Sequence, residues 1–196
     1  EILSEVSNEN QEEIATILEQ TEKLDFLIQS LVKLSRMESG IIAVHSEDTT
    51  IKQMLESIQQ QFNVKVREKN ITLSLCDTDL HIRCDSKWTV EALGNIVDNA
   101  IKYTACGGIV QIKVEQYSFF VKIDIIDDGI GIEKEEIPKI FGRFYRSLSV
   151  ADQPGVGIGL FLAREIIQAQ KGYIKVTSKR GKGSTFSVFL PIAKKE

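Results

Sequence analysis

The feature that most constrains this chain is a heptad seam near its start. Ile14, Ile17, Thr21, Leu24, Ile28 and Leu31 fall alternately three and four residues apart. That spacing lays an apolar stripe along one side of a helix, as in a coiled coil or helical bundle. It predicts one helix over residues 11–37, punctuated by Gly40. Such a stripe has to lie against other helices, and no later segment carries a matching seam. The alternative is a helix folded back on its own domain. With 196 residues, the chain has room for one full domain beyond this helix. The expected division is a helical region over 1–42 and a domain over 43–196.

Within that domain the hydrophobic period switches between helix and strand. A helix is expected from Thr50 to Glu68, with Asp48 or Thr49 as its N-cap. Strand-like segments follow at Ile71–Cys76, near Ile82, at Ile109–Glu115 and at Phe120–Asp127, with a helix from Ser86 to Tyr103 among them. A stretch punctuated by glycine and proline runs to Gly157. A helix from Gly159 to Gln170 and strands at Tyr173–Ser178 and Thr185–Pro191 complete the order. The mixture predicts an α+β, two-layer sandwich: a mixed sheet with helices on one face.

Composition removes several classes of function. The net charge is −4 and no Lys/Arg cluster is interleaved with aromatics, so nucleic acid is not an expected partner. No apolar run approaches the roughly 18 residues needed to span a bilayer. Cys76, Cys84 and Cys106 are odd in number and lack ligand or redox spacing, so they read as reduced thiols. His45 and His81 are equally isolated.

Four segments carry candidate chemistry. On the helix ending at Tyr103, Asn95, Asp98, Asn99 and Lys102 share one side, and Leu93, Ile96, Val97, Ala100 and Ile101 the other. A solvated face is the plain alternative, but asparagine is a poor helix former and an amide oxygen suits a phosphate-bound Mg²⁺. Asp127-Asp128-Gly129-Ile130-Gly131 ends a strand. Neighbouring strand residues point to opposite faces, so one carboxylate, Asp127, is placed to accept a hydrogen bond from an adenine amine. A plain Asp-Gly turn is the alternative. Gly155-Val156-Gly157-Ile158-Gly159-Leu160 opens a helix, where free backbone N–H groups can cradle phosphate. In Ile140-Phe141-Gly142-Arg143-Phe144-Tyr145-Arg146, aromatics can anchor a flap and an arginine can reach a terminal phosphate, although Phe141 and Phe144 also suit simple packing. Gly181-Lys182-Gly183-Ser184-Thr185 lacks P-loop order and reads as a hairpin turn.

The order of these segments resembles the sensor histidine kinases of two-component systems. Asn95–Tyr103 is similar to their N box, Asp127–Gly131 to the G1 box, Ile140–Arg146 to the F box, Gly155–Leu160 to the G2 box and Gly181–Phe186 to the final glycine turn. Leu34–Gly40 resembles the end of the second dimerisation helix. The resemblance implies a Bergerat-type fold of the GHKL superfamily that binds ATP and Mg²⁺ under a lid over 147–157. It implies Asn99 as the Mg²⁺ ligand, with Asn95 assisting. Lys102 and Arg146 would touch phosphates, Tyr103 would lie against the nucleotide and Asp127 would read adenine. Gly129, Gly131, Ile132, Phe144, Tyr145, Gly155, Val156, Gly157, Ile158, Gly159, Leu160 and Thr185 would line the rest of the pocket.

The implied activity is transfer of the γ-phosphoryl group to a histidine on a first dimerisation helix, then to a response-regulator aspartate. The implied assembly is a homodimer at the cytoplasmic end of a membrane-anchored sensor. The acceptor box is absent: Ser7-Asn8-Glu9 is its nearest echo, so the chain is expected to begin after the acceptor and not to label itself. Three other readings remain at this point. A gyrase- or mismatch-repair-type ATPase would carry a glutamate where Asn95 stands. A non-catalytic module would show damaged boxes. A serine-directed anti-sigma kinase would lack the heptad helix.

Overall fold

The computed structural model describes residues 44–147, 150, 153 and 155–192, together with residues 11, 13, 14, 16–18, 20, 21, 24, 25, 27–29, 31, 32 and 35. The chain divides into two compact units, Glu1–Ala43 with Val150–Val156, and Val44–Ser149 with Gly157–Glu196.

In the first unit every described residue from 11 to 35 is helical, forming α1. Ile14, Ile17, Leu24, Ile28 and Leu31 of the seam are 45–63% exposed within this chain. Thr21, the polar member of the seam, turns its hydroxyl back onto the Ile17 carbonyl at 2.8 Å. Residues 36–40, the expected end of the helix, lie outside the described residues.

In the second unit, α2 (Ile51–Glu68) buries Ile51, Met54, Leu55, Ile58 and Phe62 on one stripe. Its N-cap is Thr50, whose hydroxyl accepts the Gln53 N–H at 3.3 Å. Asp48 and Thr49, the expected caps, belong instead to a strand, β1 (Glu47–Thr50), paired antiparallel with β3 (His81–Cys84). The segment Glu-Asp-Thr-Thr has no apolar alternation, so its state comes from the partner strand and not from local preference.

A five-stranded sheet runs in the order β2 (Thr72–Leu75), β4 (Ile109–Gln116), β5 (Phe120–Asp127), β7 (Ser184–Pro191), β6 (Tyr173–Ser178). The pair β2–β4 is parallel and the others are antiparallel, giving the mixed sheet that the sequence predicts. Val110 and Ile112 of β4, Val121, Ile123 and Ile125 of β5, and Phe186, Val188 and Leu190 of β7 alternate into the core. Against them lie Leu93, Ile96, Val97, Ala100 and Ile101 of α3 (Ser86–Tyr103), with Leu162, Ile166 and Ile167 of α4 (Gly159–Ala169). The unit is therefore an α+β sandwich. Among the described residues no helix is long and apolar enough to cross a membrane.

Both ends of α3 are held by other segments. Asp85 caps its start, accepting Trp88 N–H at 3.1 Å through Oδ1 and His45 N–H at 3.0 Å through Oδ2. The Asp85 N–H donates to Oε1 of the buried Gln170 at 2.8 Å, joining the start of α3 to the end of α4.

Candidate functional site

The site is built on α3. Asn95 Nδ2 donates to the Glu91 carbonyl and Asn99 Nδ2 to the Asn95 carbonyl, each at 3.0 Å. Each amide donates its N–H to a carbonyl of its own helix, which leaves Oδ1 as an acceptor. That is the donor atom a hard cation takes. Asp98, between them, is engaged in a 2.6 Å ion pair with Lys65 of α2. One turn on, the Lys102 ammonium lies 4.9 Å from the Tyr103 ring centroid. Burial, and then the positive charge of Arg146, push the Lys102 amine below its ordinary value. Burial pushes the Tyr103 hydroxyl up. A lysine and an arginine close enough to repel each other suit a multiply charged anion.

Asp127 ends β5 and is only 7% exposed. Its Oδ1 accepts the Gly129 N–H at 2.9 Å and the Ser184 N–H at 3.2 Å; Oδ2 makes no hydrogen bond among the described residues. Burial raises the carboxyl above its ordinary value, the two backbone donors pull it down, and Asp128 adds to the rise. Asp128 itself is exposed and caps β4 by accepting the Ile109 N–H at 2.9 Å, so the two acids have separate tasks.

The glycines show how closely the backbones meet. A Cβ on Gly129 would lie 2.5 Å from the Tyr103 carbonyl oxygen, which also accepts the Ile130 N–H at 3.2 Å. Gly183, at φ +80°, passes so near β5 that a Cβ would overlap the Asp127 carbonyl. Gly131, at φ +65°, meets the Lys179 carbonyl in the same way, while Ile132 N–H donates to Ser178 Oγ at 2.8 Å. The loop that leaves Asp127 is thus pinned between the last turn of α3 and the β6–β7 turn.

The start of α4 completes the arrangement. A Cβ on Gly159 would sit 3.0 Å from Asn95 Oδ1, so any larger residue would press on that side chain where the helix end approaches the asparagines. The N-cap position is the buried Ile158, which offers no side-chain acceptor to the first-turn N–H groups. Uncapped N–H groups at a helix start attract an anion. Leu160 is half-buried in that first turn. Gly157, at φ +77°, would place a Cβ 2.6 Å from the Tyr145 carbonyl, tying the segment Ile140–Arg146 to α4. Arg143 and Arg164 reinforce that tie, the guanidinium carbon of Arg143 lying 4.7 Å from the Phe161 ring and that of Arg164 5.7 Å from the Phe141 ring.

Asn95, Asn99, Lys102 and Tyr103 thus lie on α3, where Gly129, held by Asp127, and Gly159 meet them; Gly131 and Ile132 are held at the β6–β7 turn and Gly157 against Tyr145. Phe144 does not pack: it adopts φ +59° and is exposed. Tyr145 Oη reaches Glu136 at 3.4 Å. Gly155 and Val156 fall in the first unit. Residues 148, 149, 151, 152 and 154 of the expected lid lie outside the described residues.

Thr185 stands apart from Asp127. Ser184, not Thr185, pairs with Asp127 in the β5–β7 register, and Ser184 is buried on its face of the sheet. Alternation sends Thr185 to the opposite face. Ser184 is the residue that the sequence reading missed; counting faces across the glycine turn would have found it.

Residues 84–194 match the family model described as "Histidine kinase-, DNA gyrase B-, and HSP90-like ATPase". The chain is 33% identical over 177 residues to the sensor histidine kinase WalK of Bacillus subtilis, covering 88% of this chain and 29% of WalK. It is 29% identical over 171 residues to the sensor protein kinase PmrB of Pseudomonas aeruginosa, covering 87% of this chain and 36% of PmrB. The chain thus spans about a third of the length of these curated relatives. Among solved structures, the histidine kinase AdeS of Acinetobacter baumannii superposes with a TM-score of 0.77 at 25% identity, covering 92% of this chain and 84% of that one.

Proposed function

The chain belongs to the histidine kinase-, DNA gyrase B- and HSP90-like ATPase family, in the form carried by two-component sensor histidine kinases, and on that premise we propose that its domain over 43–196 binds ATP with Mg²⁺ and donates the γ-phosphoryl group to a histidine. One observation carries the reading: the start of α4 meets the asparagine face of α3 at Gly159, so closely that a Cβ there would lie 3.0 Å from Asn95 Oδ1. Asparagine oxygens suited to a cation, the uncapped N–H groups of α4 and the charges of Lys102 and Arg146 are the groups that a triphosphate needs.

In this reading Asn99 Oδ1 ligates the ion and Asn95 assists, while Lys102 and Arg146 hold phosphate oxygens. Asp127 uses Oδ2 to accept from the adenine amine, its Oδ1 being engaged by Gly129 and Ser184. Tyr103 flanks the base. Gly129, Gly131, Ile132 and Gly157–Leu160 would line the pocket, with Phe144 and Tyr145 at its flap side. When bound, Mg²⁺, held by Asn99 with Asn95 assisting, would neutralise charge on the phosphates. The histidine nitrogen bonds to the γ-phosphorus, the bond to ADP breaks, and ADP leaves; the imidazole proton passes to solvent. An aspartate of a response regulator then takes the phosphoryl group. The exposed α1 seam supports a homodimer, and a place at the cytoplasmic end of a membrane-anchored sensor is part of the same proposal.

Calorimetric titration with ATP and Mg²⁺ tests the site. The expected result is saturable binding that Asn99→Ala weakens at least about a hundredfold, near 2.7 kcal/mol, and that chelation of the metal also weakens. An Asn99→Ala variant with unchanged affinity would remove this site. Label transferred from γ-labelled ATP to an added acceptor helix should be stable to base and lost in acid.

A further inference from the structure

Helix α3 ends without the usual closing device. Its C-cap, Thr104, is extended at φ −83° and ψ 139°, so no left-handed glycine folds back to bond the last carbonyls. Those carbonyls carry the negative end of the helix dipole and need partners. Lys69, just beyond α2, supplies them. Its Nζ lies 2.9 Å from the Ile101 oxygen, 2.6 Å from that of Lys102 and 2.8 Å from that of Thr104. An ammonium has three donors, and all three are engaged.

The same residue ties two further segments to this point. Its N–H bonds back to Lys65 and Arg67 as the C-cap of α2, and its carbonyl accepts the Gly107 N–H at 3.2 Å. Between the carbonyls it holds sits Tyr103, whose own carbonyl meets Gly129 and accepts the Ile130 N–H.

We infer that Lys69 is a positioning residue for the nucleotide site, fixing the last turn of α3 so that Lys102 faces the phosphates and Tyr103 backs the Asp127–Gly131 loop. Lys69 touches no nucleotide in this account; it acts through the residues it holds. The inference rests on the ATP-site reading above. Arginine matches it only in part, because a planar fork cannot aim three donors at carbonyls grouped around one point.

The test measures affinity for Mg²⁺ with a non-hydrolysable ATP analogue, alongside thermal melting. Lys69→Met should raise Kd about tenfold and Lys69→Arg should restore it to within about threefold, since charge-assisted bonds are the stronger kind. Ile58→Val, a core control costing about 0.5–1.5 kcal/mol, should lower the melting temperature and leave Kd unchanged. Should Lys69→Met give no cooperative melt, Lys69→Gln carries the test, with a rise of at least about threefold expected from loss of the charge. Wild-type affinity in Lys69→Met or Lys69→Gln, with Asn99→Ala still impaired, overturns the positioning role and leaves the site reading standing. An equal loss of affinity in Ile58→Val also overturns it, as plain destabilisation. A wild-type chain that binds no analogue ends both.

Discussion

Helices α1 and α2 carry similar apolar stripes and have opposite fates. In α2 the stripe Ile51, Met54, Leu55, Ile58 and Phe62 is at most 3% exposed, and α2 lies so near α3 that a Cβ on Gly94 would be 3.6 Å from Gln61 Oε1. In α1 the seam residues are 45–63% exposed. Periodicity states that a surface has to be covered; it does not state by what. For α2 the cover is further along the same chain, while for α1 an apolar strip this long marks an interaction surface. Burial thus makes α2 a matter of stability, while exposure leaves α1 open to the association proposed for it.

The largest expected effect tests the covered side. Phe62→Ala should cost about 3–5 kcal/mol in urea unfolding followed by Trp88 fluorescence, whereas Ile17→Ala should change the same transition by less than about 0.5 kcal/mol. Equal losses would erase the distinction. A smaller effect tests the open side. Ile17→Glu with Ile28→Glu should raise the dimer dissociation constant at least about tenfold in sedimentation, with the ATP affinity of the second unit unchanged. A wild-type chain that is monomeric at every concentration would instead leave the α1 stripe to another partner.

The smallest effect extends the contrast to a buried charge. Because burial raises the Asp127 carboxyl in the folded state, folding holds that proton more tightly than the unfolded chain does. The ionised form therefore lowers stability as pH climbs from the ordinary carboxylate value near 4 through the raised one. Asp127→Asn should melt slightly higher than wild type at pH 7, with the gain gone at about pH 3, and should lose ATP affinity. A lower melting temperature at pH 7 would show that the two backbone donors outweigh desolvation.

Much of this architecture was legible before any coordinates. The end points of α3, β5 and β6 follow from period changes and turn residues, which are local signals. Three features were not legible. Strand β1 is made by its pairing with β3, a contact over some thirty residues. The exchange of Ser184 for Thr185 depends on face parity across two strands, which no single segment encodes. Lys69 sits in Arg67-Glu68-Lys69-Asn70, which reads as solvated surface until the end of α3 is placed beside it. The proposed nucleotide face of α3 was visible because asparagines are uncommon choices for a helix that needs only solvation.

The close approaches at Gly131 and Gly183 bear on inheritance. A single base change in a glycine codon, where it alters the residue at all, introduces a Cβ, and at these positions a Cβ would overlap a carbonyl on the neighbouring backbone. Neither position can drift one step at a time. A lineage that moved the Asp127 loop would first have to reshape the strands beside it, so these two codons should stay still while their surroundings change.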